Sequence, residues 1–268
     1  MQIAVPGGTG MLGRPVVEEL VRRGHDVRVL TRTPPSDPLP GAEHHEVDLV
    51  TGAGLDDALA GVDAVIEAAN TPGTGRKATP VLVEGTRRLL QAEARAGVGH
   101  HVAISIVGID AVPFSYYRAK LAQEQLVQEG PVAWSIVRAT QFHQLLDWTF
   151  ASTARAGFVP ANGFAMAPVD PRFVARALVD AAQDGPGGRL APVAGPQVVP
   201  VGQLARQWAS ARRRRRPALP LPLPRRARRA LRAGGLVPAG DDVRSGGPSF
   251  GDWLRSDAQP RTAAVVAA

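Results

Sequence analysis

The sequence predicts an α/β fold: a doubly wound parallel sheet with helices on both faces, followed by a small, mainly helical C-terminal covering region. Three observations carry this. Short β-branched runs alternate with longer helical patterns through the first two-thirds of the chain. The first of those strands runs straight into a glycine turn and a helix. Beyond about residue 140 the alternation becomes irregular and helical patterns separated by a proline-rich stretch take over. The expected division is a sheet domain at 1–195 and a smaller region at 196–268.

"QIAVPG" (2–7) reads as a strand entering a glycine turn. "MLGRPVVEELVRRG" (11–24) places Leu12, Val16, Leu20 and Val21 on one helical face, with Gly24 as a stop. "DVRVLT" (26–31) alternates like a strand, and "EHHEVDL" (43–49) is a second such candidate. "VDAVIEAAN" (62–70) is a buried strand ending in a small-residue loop. "TPVLVEGTRRLLQAEARAGV" (79–98) is helical, and "HHVAISIVG" (100–108) is a strand. "YYRAKLAQEQLVQEG" (116–130) is a helix ended by glycine, and "AWSIVRATQ" (133–141) is the next strand. Further on, "VDPRFVARALVDAAQ" (169–183) is a helix with Asp170 as N-cap and Pro171 at its first position. "VGQLARQWASA" (201–211), "PLPRRARRALRAGGL" (222–236) and "SFGDWLRS" (249–256) read as shorter helices. The tail "TAAVVAA" (262–268) carries no readable signal.

Composition limits the function classes. The 268 residues are 44% hydrophobic and 5% aromatic, as in a soluble globular protein. No apolar run is long enough to cross a bilayer. The N-terminus enters a strand without a basic n-region and apolar h-region, so a cytoplasmic location is expected. Without cysteine, disulfides, thiolate catalysis and thiolate metal sites are excluded. The pairs His44-His45 and His100-His101 do not chelate by themselves, because neighbours on a strand point to opposite faces; no metal is expected. The net charge of +7 is local: 12 of the 31 basic residues lie between Gly185 and Gly240, where no acidic residue stands. The other 19 face 24 acidic residues. The basic run "RRRRRPALPLPLPRRARRALR" (212–232) lacks interleaved aromatic platforms. It reads as a solvated arginine-rich surface with a proline-rich connector rather than a nucleic-acid site.

"GGTGMLG" sets Gly7, Gly10 and Gly13 at G-x-x-G-x-x-G spacing between the first strand and first helix. That is the context a dinucleotide site requires. Gly7 allows the tight turn, Gly10 lets backbone approach a pyrophosphate, and Gly13 lets the helix pack close on the sheet. Thr9, Met11 and Leu12 complete the stretch whose amides, with the helix dipole, face the diphosphate. The second strand ends "VLTRTPP". It offers Arg32 and no carboxylate, which favours the 2′-phosphate of NADP over NAD. Asp48 is placed to meet the adenine amino group. Ala68, Ala69 and Asn70 form the loop where the cofactor ribose should pass.

Three scarce side chains meet in "PFSYYRAK" (113–120). The chain has 2 tyrosines, Tyr116 and Tyr117, and two lysines. Tyr116 and Lys120 are spaced i, i+4, on one helical face. A phenol near pKa 10 needs help to transfer a proton at neutral pH, and a neighbouring ammonium lowers that value. The same ammonium can hold ribose hydroxyls. Ser105, ending its strand, could hydrogen-bond a substrate carbonyl and steady a developing oxyanion. The chemistry expected is hydride transfer to a carbonyl carbon with proton donation from Tyr116. Tyr117 points about a quarter-turn away and reads as a packing residue.

Together "PGGTGMLG", "TRTP", "SIVGID", "YYRAKLAQEQLV" and "SIVRATQFH" resemble the NmrA-like, atypical branch of the short-chain dehydrogenase/reductase superfamily, over about residues 1–200. The closing "SFGDWLRS" is similar to that group's C-terminal helix. The resemblance implies a Rossmann fold with a small substrate-covering region, cofactor contacts from Gly7, Gly10, Gly13 and Arg32, and catalysis by Tyr116 and Lys120. Ser105 and Tyr116 stand eleven positions apart, slightly closer than the family pattern. Gln141, Phe142 and His143, after the sixth strand, are expected substrate contacts. The function expected is an NAD(P)H-dependent oxidoreductase reducing a small carbonyl or quinone. Its alternative is a non-catalytic NADP(H)-binding redox sensor, for which 212–232 could be the partner surface. Monomer and homodimer are both compatible with the sequence.

Overall fold

In the computed structural model, which describes residues 1–71 and 78–256, a nine-stranded sheet forms the centre of the molecule. The tail 262–268 lies outside the described residues. β1 (Gln2–Pro6), β2 (Asp26–Thr31), β3 (Ala42–Glu46), β4 (Ala64–Glu67), β5 (His100–Ile106) and β6 (Trp134–Ala139) run in the order β3-β2-β1-β4-β5-β6. All pairs among these six are parallel. The order reverses at β1, and this reversal is the switch point of a doubly wound Rossmann sheet.

The side-chain period of two explains why both faces are covered. Ile3 and Val5 enter one core with Ile66, Val102 and Val137. Ala4, between them, enters another with Leu30, Val65 and Leu89. Helix α1 (Gly13–Arg22) brings Val16, Val17 and Leu20 to the first face; α2 (Leu55–Leu59) and α3 (Thr86–Ala96) cover the second. A π-helical turn, Pro80–Gly85, leads into α3. α4 (Ser115–Gln128) follows β5, and α5 (His143–Arg155) follows β6. α6 (Pro171–Asp184) sits beside α1, and the Asp170 carboxylate accepts the Arg172 amide at 2.8 Å as its N-cap. Burying a side chain such as Leu178 there contributes about 1.5–3 kcal/mol.

The smaller region is not separated at residue 195. α7 (Val201–Ala211) and α9 (Phe250–Arg255) build a second core with α5: Leu204, Trp208, Phe250 and Trp253 meet Leu146 and Phe150. In return Arg244–Ser245, a short strand β13, pairs in parallel with β10 (Val193–Ala194) and extends the main sheet. β9 (Gly188–Arg189) also pairs with β6. The region is less purely helical than expected. β7 (Val159–Pro160) pairs with β12 (Ala218–Leu219), and β8 (Ala165–Met166) pairs with β11 (Val199–Pro200).

The basic run is fastened at several points. The Asp147 carboxylate accepts from Trp208 Nε1 at 2.7 Å and from Arg212 at 2.9 Å. The Asn162 amide exchanges two hydrogen bonds with the Leu221 backbone, each 3.1 Å. α8 (Arg225–Arg232) buries Ala227 and Leu231, the latter against Val112 and Leu236. Among the described residues no helix is long and apolar enough to cross a membrane.

Candidate functional site at the sheet switch point

The glycine turn lies at the C-terminal end of β1, where the strand order reverses. Gly7 has φ +76°, a left-handed conformation that favours glycine. Its amide donates to the Leu30 carbonyl at 3.1 Å. A Cβ on Gly7 would stand 2.6 Å from Ala69 Cα, so the turn and the loop after β4 touch backbone to backbone. A Cβ on Gly13 would stand 2.0 Å from the Gly7 carbonyl oxygen, which is how α1 starts so close to the strand. Gly10 is different: its nearest neighbour for a Cβ is Gly7 O at 3.1 Å. The Gly8 and Gly10 amides close the turn, on Val5 O and Gly7 O. Those of Thr9, Met11 and Leu12 take no part in the backbone bonding described for it. Such amides at a helix start are suited to an anion. Donor set and cradle therefore both fit a dinucleotide diphosphate.

Arg32, one residue past β2, is exposed and has no ion pair among the described residues. Asp48 follows β3; its carboxylate accepts the Val50 amide at 2.8 Å and so is fixed in a turn. Ala68 and Ala69 are buried against the glycine turn, while Asn70 is exposed.

Asn70 leads to the tyrosine. The Tyr116 hydroxyl donates to Asn70 Oδ1 at 2.8 Å, and that oxygen also accepts the Thr71 amide. Tyr116 packs near Ala78, Leu82 and Ala119, so the π-helical turn helps to seat it. Burial pushes its phenol up to about 12, against the opposing hydrogen bond to Asn70. The expected lowering by Lys120 does not occur in this arrangement. Lys120 is buried, and its ammonium donates to the Ile104 carbonyl at 2.6 Å and to Gln123 Oε1 at 2.5 Å. Burial pushes Lys120 down to about 8, against the opposing pull of Glu67 and Glu124. Ser105 is buried and its hydroxyl has no hydrogen-bond partner among the described residues.

On the other side of α4, Tyr117 lies beside Gln141 and among Val112, Phe114, Leu223 and Leu231. Its phenol is also pushed up to about 12 by burial. Both polar atoms of the Gln141 carboxamide are buried without a hydrogen bond of good geometry, although the phenol is close. Phe142 is half-buried against the main core. His143 sits differently from the expectation of a substrate contact. It is fully buried, its Nε2 is 3.1 Å from the Pro248 carbonyl, and its ring lies 5.5 Å from those of Phe250 and Trp253. That leaves it no surface for a substrate; it ties α5 to α9. Burial pushes it down to about 4.

A polar network behind Lys120 escaped the sequence reading. Glu67, Thr86, Glu93, His101 and Gln123 are all buried around it. The available signal was Glu67 itself, a carboxylate inside the apolar run "VDAVIEAAN". His100 and His101 do diverge as neighbours on a strand must: His100 meets Ser135 Oγ at 2.9 Å, and His101 meets Glu93 at 2.9 Å.

Comparisons with known proteins bear on the fold and on the NAD(P)H-binding class. The sequence model of a family described as NAD(P)H-binding matches residues 7–185. A (4-alkanoyl-5-oxo-2,5-dihydrofuran-3-yl)methyl phosphate reductase of Streptomyces griseus is 36% identical over 210 residues, covering 74% of this chain and 69% of that protein. A chloroplastic divinyl chlorophyllide a 8-vinyl-reductase of Oryza sativa is 29% identical over 222 residues, covering 72% of this chain and 54% of that protein. Of the second relative the chain thus spans about half the length. Among solved structures, a nucleoside-diphosphate-sugar epimerase of Staphylococcus aureus superposes with TM-score 0.75 at 16% identity, covering 96% of this chain and 100% of the other. An NADPH-dependent quinone oxidoreductase of Escherichia coli, complexed with NADPH, gives 0.73 at 18% identity over 94% and 98%. The chain belongs to the NAD(P)H-binding family, in the atypical branch of the short-chain dehydrogenase/reductase superfamily.

Proposed function

We propose that this protein is an NADPH-dependent reductase of a small conjugated carbonyl compound or quinone. The observation that carries the reading is the cradle at the switch point: glycines that a Cβ would crowd, amides of Thr9, Met11 and Leu12 outside the turn's own backbone bonding, and Arg32 at the end of β2 without an ion pair among the described residues. Two relatives are named as reductases, one of an oxo-dihydrofuranyl phosphate and one of a vinyl group. Both names denote an unsaturated acceptor, which supports the substrate class.

Bound NADPH would supply the hydride. The chain's own residues do the rest. The turn and the N-terminus of α1 hold the diphosphate; Arg32 binds the 2′-phosphate with its planar fork. Ser105 Oγ, buried and unpartnered, is free to hydrogen-bond the substrate oxygen. Tyr116 gives up its bond to Asn70 and donates to that oxygen instead. With its pKa near 12 the phenol stays protonated at neutral pH, so it acts as a standing donor. Tyr116 would give the one proton that balances that hydride, to be restored from water, and the dihydro compound would leave. Gln141 and Tyr117, below the cover made by Leu223 and Leu231, orient the substrate's remaining polar group.

The test is NADPH oxidation across quinones, enones and aldehydes, alongside NADPH binding by fluorescence. Saturable turnover with a quinone or enone is expected. Tight NADPH binding with no turnover on any of them would favour the redox-sensor alternative. Failure to bind NADPH would overturn both.

A further inference from the structure

We propose that Glu67 is a positioning residue for Lys120, acting through Thr86 and Gln123. The inference rests on Lys120 serving the cofactor side of the site.

The chain of hydrogen bonds runs one way only. A carboxylate only accepts, so the Thr86 hydroxyl must donate to Glu67 Oε1, at 2.6 Å. The Thr86 oxygen then accepts from Gln123 Nε2 at 3.0 Å. That fixes the amide, and Gln123 Oε1 is left facing the Lys120 ammonium at 2.5 Å. Three elements supply the links: Glu67 from β4, Thr86 from the start of α3, Gln123 from α4. All are buried, where hydrogen bonds polarise one another and water does not screen them.

The charges around Lys120 point to the same residue. Glu124, on its own helix, is occupied by Arg138 at 2.6 Å and Arg189 at 3.0 Å. Tyr116 faces Asn70 instead. From β5, His101 lies 2.9 Å from Glu93 of α3 and 3.4 Å from Glu67. Glu67 and Glu93 therefore balance two buried cations, His101 and Lys120. Removing the Glu67 charge leaves one cation uncompensated, and the ammonium responds.

The chain's two lysines make this measurable without turnover. In protein labelled with 13C-lysine, the Lys120 Cε signal is one of two and can be titrated directly. Glu67→Gln should move the Lys120 midpoint to lower pH. Gln123→Glu puts a carboxylate against the ammonium and should move it to higher pH, by about one unit or more. Thr86→Val should lower kcat/KM with NADPH about tenfold, and Thr86→Ser should restore it. An unchanged Lys120 titration in both charge variants, with Thr86→Val as active as wild type, overturns the inference even where Lys120→Met abolishes turnover. If the titrations shift but Lys120→Met leaves turnover and NADPH affinity intact, the role given to Lys120 falls, and the inference with it.

Discussion

Tyr116 and Lys120 stand one turn apart on α4, yet their polar ends serve different partners: the phenol donates to Asn70 at 2.8 Å and the ammonium to the Ile104 carbonyl at 2.6 Å. The phenol therefore stays an ordinary weak acid, pushed further up by burial. In the proposed reaction it serves as a donor, and the benefit would depend on how basic the substrate oxygen becomes during hydride transfer. Tyr116→Phe is expected to lower kcat/KM for an aldehyde by about 100-fold, within the usual range for a lost general acid. For a quinone, whose developing oxyanion is delocalised, the loss should stay under about tenfold. Parallel assays of both substrates with the same variant check this; equal losses would contradict it.

Arg32 projects from the end of β2 without an ion pair among the described residues. A guanidinium in that state is available to a phosphate, and a charged hydrogen bond is worth about 1.5–3 kcal/mol. Arg32→Ala should thus weaken NADPH binding about 10- to 100-fold while leaving NADH within about twofold. Fluorescence titration of both cofactors reads the difference. Equal NADPH and NADH affinity in the wild-type protein would remove the basis for NADP preference.

The sheet was legible because β1, β2, β4, β5 and β6 are short apolar runs separated by helical periodicity. The glycine turn was legible because its spacing sits between a strand and a helix. Helix α5 was not: Leu146 and Phe150 face inward, but Leu145 and Trp148 are exposed, so no single apolar stripe appears. The short strands at 159–160, 193–194 and 244–245 are two residues each, below any period a sequence can display. At the site, Tyr116 and Lys120 could be named from spacing, but not the direction of their side chains. That direction depends on Asn70, which meets Tyr116 from a loop, and on the Ile104 carbonyl of β5, which takes the Lys120 ammonium; no local pattern links either to α4, and only Gln123, three residues after Lys120, lies within helical reach. His143 was expected at the site because it follows the sixth strand with Gln141 and Phe142, but the chain after that strand carries it into the core at the start of α5 instead.

Two of the three glycines should separate folding from binding. A methyl on Gly13 would meet the Gly7 carbonyl oxygen at 2.0 Å, and backbone on both sides cannot yield cheaply. Gly13→Ala should cost about 3 kcal/mol or more, seen as a lower denaturation midpoint without ligand. At Gly10 the one near atom is the Gly7 carbonyl oxygen at 3.1 Å, a tight contact relieved by a shift of a few tenths of an ångström, so, compared with Gly13→Ala, Gly10→Ala should cost much less stability. Its methyl would still stand where the diphosphate approaches, and NADPH affinity should fall. Thermal denaturation with and without NADPH distinguishes the two: Gly13→Ala shifts the ligand-free midpoint, Gly10→Ala mainly removes the ligand-induced rise.

Two of the three buried histidines, His101 and His143, should give stability a maximum near pH 6.5, with His100, also pushed down by burial, adding to the acid side. Burial alone would push His101 down, but Glu93 and Glu67 outweigh it and hold the ring up at about 10. Its folded value is above its unfolded one, so its contribution is complete below about 6.5 and is lost as pH rises toward 10. His143 is the reverse. Burial holds it at about 4, so the folded protein binds fewer protons than the unfolded chain between about 4 and 6.5, and stability falls as pH drops through that window. Lys120, held at about 8, opposes His101 only above that pH, because there the unfolded chain keeps a proton the folded one has lost. Between 6.5 and 8 the His101 effect is therefore unopposed by Lys120, with a slope of at most about 1.4 kcal/mol per pH unit. Urea denaturation at half-unit steps from pH 5 to 8 reads both limbs. His101→Gln should flatten the alkaline limb and leave the acid limb unchanged, while His143→Phe should reduce the acid limb to the share left by His100 and spare the alkaline one; a single limb altered by both variants would show that the histidines are not the titrating groups.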